Sequence, residues 1–416
     1  MASLHELFQW SIQHQAAANQ GSNESAPPAQ RREISASDRE FLNAAIRTDA
    51  SKMKGLVDMY VSPTSTVEAK EVALEELEFY VQTIDNASDI SHGTVDGLNP
   101  LLKGIQYDDR PNFRTPSVRT GCAWVLSTAA QNNPNLQEAI SKAGGEKAVT
   151  DALKDETNQL FKLMDSQEGF SDTELTERGD LNLISKLIAV ASALFENPSF
   201  IESFRENGGF TCLFQLLKLD VSKLDPLQHA REQAHKRIIS GEENIDEDRR
   251  ILERVDALEA VDSQQTGKVF LDVEDQVALR ARELQKSRAR ARLAPGTTDY
   301  NDTKESDRIL WLRLARRVTH VLYKLLFILP EAYTKGKEGV AIECLVHLLE
   351  KHKDNDLREK TVKILEVLLE REDQRKQVKA LGLNERLVKS LRSMEEDNRE
   401  NEDVSSQIRE VIKRVS

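Results

Sequence analysis

Apolar residues recur along this chain in blocks that can be laid over one another. Four stretches, 117–153, 182–217, 313–349 and 357–391, each read as an apolar helix, a short break, a second short helix, a glycine and a third apolar helix. Gly144 and Leu153, Gly208 and Leu217, Gly339 and Leu348, and Gly382 and Leu391 repeat one spacing in all four. That regularity predicts an all-α fold of the solenoid kind, because a single such unit cannot bury its apolar face and a stacked neighbour must cover it. Function in such a fold is expected on a surface rather than in a pocket.

Outside the repeats the pattern changes. Leu4, Leu7, Phe8 and Ile12, with Trp10 beside them, fit a short amphipathic helix over 1–13. Residues 14–36 are small, polar and proline-containing, and read as a flexible linker. Ser37 and Glu40 have the spacing of a capping box, and three helices are predicted over roughly 38–60, 66–84 and 94–105. Together with the first two repeats they make a unit over 37–218. Charges dominate 219–306, where Ile251, Val255 and Leu258 form only a thin stripe, so this reads as a partly helical, partly disordered insertion. The last two repeats occupy 307–393. In the charged end, 394–416, Val404, Ile408, Val411 and Val415 share one helical face.

Composition narrows the possible partners. With 57 basic against 70 acidic residues the formal charge is −13, which disfavours nucleic acid or an anionic membrane as a general partner and favours a protein. No alternating Val, Ile or Thr run predicts a strand. Cys122, Cys212 and Cys344 each fall in an apolar helix, far apart and without metal-ligand spacing, which predicts buried free thiols and a reducing compartment. The first residues lack the pattern of a secretory signal, and no apolar run reaches the length of a membrane span. The expected location is the cytoplasm, with the nucleus left open.

Enzyme chemistry finds no foothold in the sequence. There is no phosphate-binding glycine loop, no nucleophile elbow and no zinc-protease motif. The eight histidines include the pairs His229/His235 and His347/His352, whose spacings do not put two imidazoles on one helical face. The doublets Gly144-Gly145 and Gly208-Gly209 are expected as turns between helices. The basic run 286–292 resembles a localisation or RNA-contact patch but has no interleaved aromatic residue to stack bases. Arg313, Arg316 and Arg317 start a repeat helix beside an expected groove. No enzyme activity, metal or cofactor is expected.

Three motifs carry a resemblance. LFQWSI (7–12) with ISASDREFLNAAI (34–46), LEELEFYVQTIDNASDI (74–90) and AQNNP (130–134) are similar, in this order, to the armadillo-type nucleotide exchange factors of cytosolic heat-shock protein 70, the Fes-one and heat-shock-binding-protein family. The resemblance covers 1–218, and 307–391 as repeats only. It implies an armadillo-like right-handed superhelix of three-helix repeats, acting as a monomeric co-chaperone. A concave face would grip one lobe of the chaperone's ATPase domain and open the cleft so that ADP leaves. It implies partner contacts at Asp85, Asn86 and Ala87, with Ala87 small because the partner's backbone passes close. It places Arg317 in the contact set through LLFILP (325–330), with Arg119 as a further candidate. The insertion departs from the family pattern, and the linker 14–36 lacks the glycine-rich character that would suit client release. A generic armadillo scaffold, or RNA binding through 280–292, remains the alternative.

Overall fold

The computed structural model describes residues 49–108, 110–166, 170–239, 248–254, 273–293, 307–328, 338–397 and 402–415. The expected helix at 4–13, the linker and the Ser37 capping box lie outside them, as does the stripe beyond residue 254. Every described element is helical. The first half contains α1 (Asp49–Val61), α2 (Val67–Tyr80), α3 (Ile84–Asp89), α4 (Leu98–Gly104) and α5 (Pro111–Arg114). Two complete repeats follow, α6 (Pro116–Ala130), α7 (Pro134–Lys142) and α8 (Gly145–Asp165), then, after the short α9 (Asp172–Glu177), α10 (Leu181–Leu194), α11 (Pro198–Glu206) and α12 (Gly209–Leu217). The second half contains α13 (Leu224–Ile239), α14 (Val273–Leu293), α15 (Asp307–Ile328), α16 (Glu338–Lys351), α17 (Asn355–Leu368), α18 (Glu372–Ala380), α19 (Asn384–Asp397) and α20 (Glu402–Val415).

The helices stack in two layers. One runs α2, α6, α10, α15, α17, α20, and the other α4, α8, α12, α16, α19, each helix packed on the next. Helices of the two layers also meet between successive repeats, α8 with α10, α12 with α15 and α16 with α17. Apart from Ile251 and Ala289, which pair separately, the buried apolar residues form one continuous cluster from Met53 to Val415, which is how repeats that are separately incomplete come to share a core. This is the expected all-α solenoid, with Val404, Ile408, Val411 and Val415 buried at its carboxyl end.

The loop chemistry repeats with the helices. Asn133 and Asn197 cap α7 and α11, accepting from the backbone N–H of Leu136 and Ser199, and a proline follows each at the first helical position. Each cap also reaches a serine of the preceding unit: Asn133 Nδ2 donates to Ser88 Oγ (3.3 Å) and Asn197 Nδ2 to Ser141 Oγ (3.0 Å). One residue thus ends a loop and fixes the stacking.

The glycine doublets divide their labour. Gly144 and Gly208 have φ of 75° and 82°, where a side chain is strained, although a Cβ there would meet open space. Gly145 and Gly209 are excluded by contact: a Cβ would lie 2.8 Å from the Ile140 carbonyl oxygen in one case and 2.5 Å from the Phe204 ring in the other. Gly382 repeats the positive φ, whereas Gly339 lies within α16, so the turn expected there is not made at the glycine. Gly208→Ala is therefore expected to cost about 1–2 kcal/mol through backbone strain alone, measurable as a lower urea midpoint at unchanged slope.

The insertion is anchored to the first half. Arg231 on α13 donates to the carbonyl oxygens of Leu175, Arg178 and Gly179. On α14, Val277 and Ala281 are buried, Arg280 pairs with Glu75 (3.0 Å) and Glu76 (2.8 Å), and Arg288 with Glu68 (3.3 Å) and Glu71 (2.9 Å). α14 lies against α1 and α2, at the head of the first layer. Glu274 of α14 reaches the Gly55 position so closely that a Cβ there would meet its Oε1 at 1.9 Å. These contacts give the helices at 224–239 and 273–293, within the expected insertion, a fixed place against the first half. They also take Arg288 out of the basic run at 286–292, since the glutamates of α2 hold it.

A half-buried histidine marks the junction of α15 and α16. The His352 ring lies tilted against Trp311 with centroids 4.3 Å apart, and burial pulls its pKa from 6.5 down to about 4, with the nearby His347 acting in the same direction. The native state therefore binds fewer protons than the unfolded chain in this range. Its stabilising effect is complete above pH 6.5 and is lost as pH falls towards 4. The slope is at most about 1.4 kcal/mol per pH unit. Urea titrations between those limits are expected to show this loss in the wild type, and a shallower one in His352→Phe.

Candidate partner-binding surface

The Asp-Asn-Ala motif is one turn of the short helix α3, pinned from beneath. Asn86 Nδ2 donates to the Tyr80 carbonyl oxygen (3.1 Å), and the Ala87 N–H to that of Thr83 (2.9 Å). Ser88 Oγ accepts from Asn133, so the motif at 85–87 and the motif at 130–134 meet in space. Asp85 is exposed, and Phe79 and Ile84, which flank the turn, are 56% and 61% exposed. Ala87 differs from expectation. Its side chain is 2% exposed and covered by the chain itself, so internal packing already explains its small size.

Arg119 also differs. It is fully buried, pairing through Nη1 with Glu156 Oε1 at 2.7 Å and donating through Nη2 to the Ile105 carbonyl oxygen at 3.2 Å. The other oxygen of Glu156 accepts the Gly179 N–H at 2.7 Å, and Arg178 Nε approaches Oε1 at 3.6 Å. The Tyr107 ring lies under both arginines. This closed network joins α6, α8 and the segments before α5 and α10. Arg119 is a core residue and is withdrawn as a direct contact.

Arg317 is half-buried on α15 and faces α10, where its Nη1 donates to the carbonyl oxygen (2.7 Å) and hydroxyl (2.9 Å) of Ser185. Burial lowers its pKa, but a guanidinium remains a cation. Beside Ser185, Lys186 holds its ammonium 4.1 Å from the centroid of the Trp124 ring, which is 39% exposed on α6. Burial lowers the Lys186 pKa, the charge of Arg317 lowers it further, and Glu78 opposes the shift. Glu78 is itself engaged by Thr128 Oγ1 (2.9 Å) and Gln82 Nε2 (3.2 Å). Phe79, Trp124, Lys186 and Arg317 thus stand on four consecutive helices of the first layer.

Trp124, Ser185 and Lys186 were missed by sequence reasoning, yet a signal for Lys186 exists. When the second and third repeats are superposed on Gly208 and Gly339, Lys186 takes the place of Arg317. Equivalent positions of stacked repeats are neighbours, so the register pairs the two cations. Among the described residues no group of His, Cys, Asp and Glu could hold a metal ion, and no helix is long and apolar enough to cross a membrane. The three cysteines are free and buried.

The layered helical repeats define an all-α solenoid. Within that class, residues 4–90 match the family model described as nucleotide exchange factor Fes1. The Hsp70 nucleotide exchange factor fes1 of Schizosaccharomyces pombe is 28% identical over 249 residues, covering 59% of this chain and 82% of that protein. FES1 of Yarrowia lipolytica is 30% identical over 53% of this chain and 64% of its own length. Nucleotide exchange factor SIL1 of Mus musculus is 31% identical, with 37% and 34% covered. The family resemblance carried by the three motifs is borne out. A designed armadillo repeat protein superposes with a TM-score of 0.41 at 13% identity, covering 88% of this chain and all of that one. The fold assignment rests on the helix packing itself.

Proposed function

We propose that the chain is a co-chaperone that binds the ATPase domain of a heat-shock protein 70 through the α2–α15 layer and accelerates release of ADP. The observation that carries the reading is the Fes1-type match over residues 4–90, whose motif at 85–87 is held by the cap of the first repeat, next to exposed Asp85, Phe79 and Ile84. Such exchange needs no covalent step. A factor that binds the nucleotide-free chaperone more tightly than the ADP-bound form lowers ADP affinity by the same coupling factor, and the released chaperone is reset for client release. Asp85 and Arg317 are the proposed contacts, and Asn86 positions the turn that presents Asp85. The action is assigned to a monomer in a reducing compartment, the cytoplasm, in keeping with the free cysteines.

Stopped-flow release of a fluorescent ADP analogue from heat-shock protein 70 tests this. The full chain is expected to accelerate release, and Arg317→Ala to lower affinity by about 2–5 kcal/mol, as for loss of one partner from a desolvated charge pair. Binding without acceleration would make the chain a chaperone adaptor or scaffold and would sink the exchange reading.

A further inference from the structure

We infer that Lys186 and Arg317 together form a receptor for one carboxylate side chain, an Asp or Glu on the partner's ATPase domain, with the Trp124 ring as its floor. The inference rests on the exchange-factor reading and deepens it by naming the chemistry that the surface accepts.

Neighbouring cations on this layer illustrate the contrast. Arg316 pairs with Asp354, Lys360 with Asp356 (2.9 Å) and Lys363 with Glu359 (2.6 Å). Lys186 and Arg317 have no carboxylate within ion-pair distance among the described residues, in a chain whose formal charge is −13. They sit on adjacent helices, both half-buried, close enough for the charge of one to act on the other. Holding two like charges together out of water is unfavourable, and an incoming anion relieves both the repulsion and the lost hydration. Glu78 does not fill that role: it acts on Lys186 only from beyond ion-pair distance, while its oxygens accept from Thr128 and Gln82.

The geometry is prepared for such a guest. Ser185 accepts only from Nη1 of Arg317, and the other guanidinium N–H groups have no acceptor among the described residues. They present a planar fork suited to two carboxylate oxygens. Trp124 fixes the Lys186 ammonium from below, so the lysine loses little further freedom on pairing. A partner carboxylate would then bridge the second and third repeats.

Isothermal titration of the full chain with the nucleotide-free ATPase domain tests the receptor, using Lys186→Gln, Arg317→Gln, the double variant and Lys186→Arg. Each glutamine variant is expected to weaken binding about thirtyfold or more, while melting as the wild type does. The double variant is expected to be scarcely weaker than either single one, because both cations serve the same guest. Lys186→Arg is expected to retain most of the affinity. If Lys186→Gln binds like the wild type while Arg317→Gln does not, the receptor is overturned and the exchange reading stands. Losses that multiply independently also overturn it, since they mean two separate contacts. A wild-type chain that does not bind the chaperone overturns the exchange reading and the receptor with it.

Discussion

Arg119→Ala is expected to lower the stability of the fold by about 3–5 kcal/mol, the largest effect of any single change considered. The reason is the charge left behind. Glu156 is fully buried, and without the guanidinium at 2.7 Å its charge would have only the Gly179 N–H and the more distant Arg178 to answer it. The Ile105 carbonyl oxygen would lose its donor as well. Urea unfolding followed by circular dichroism reads the loss. Arg119→Met with Glu156→Gln is expected to recover much of it, because the volume is filled, the charge is gone and Gly179 keeps an acceptor. If Arg119→Ala keeps wild-type stability and loses only chaperone binding, the core assignment is wrong.

Ala87→Arg is expected to cost at least about 3 kcal/mol locally, by overpacking and by placing an unpaired charge under α3. Its effect on ADP release would then come from displacing the whole turn, Asp85 included. Asp85→Arg separates the two causes. Asp85 is exposed, so reversal of its charge is expected to leave the melting temperature nearly unchanged while weakening chaperone binding. Hydrogen exchange over 81–90 distinguishes them directly: faster in Ala87→Arg, unchanged in Asp85→Arg.

The solenoid was legible because its signal is periodic. Glycines and leucines at fixed spacing and apolar stripes follow from short-range geometry, and the structure keeps the glycine turn in three of the four repeats, Gly339 lying instead inside α16. Arg119 was not legible as a core residue because its explanation lies 37 residues away, in Glu156. Even so, it shares a helical face with Cys122, Ala123 and Leu126, all fully buried, and an arginine on such a stripe implies a buried counter-charge. Ala87 was assigned by resemblance, and its burial depends on the packing of α3, which no local pattern records. The anchoring of α14 was hidden for a related reason: its arginines meet glutamates of α2 that are 204 and more residues earlier in the chain.

That last separation has a consequence for biogenesis. During synthesis the first units can begin to fold while the segment that covers the flank of α2 has not yet been made. At about 5–20 residues per second, the roughly 200 intervening residues take on the order of 10–40 seconds to emerge. Through that interval the glutamates of α2 and the apolar seam that receives Val277 and Ala281 stay open to solvent and to other chains. A ribosome stalled ahead of residue 273 would therefore hold a nascent chain that itself needs the attention of chaperones, whereas one stalled beyond residue 293 would hold a chain able to close its own leading edge.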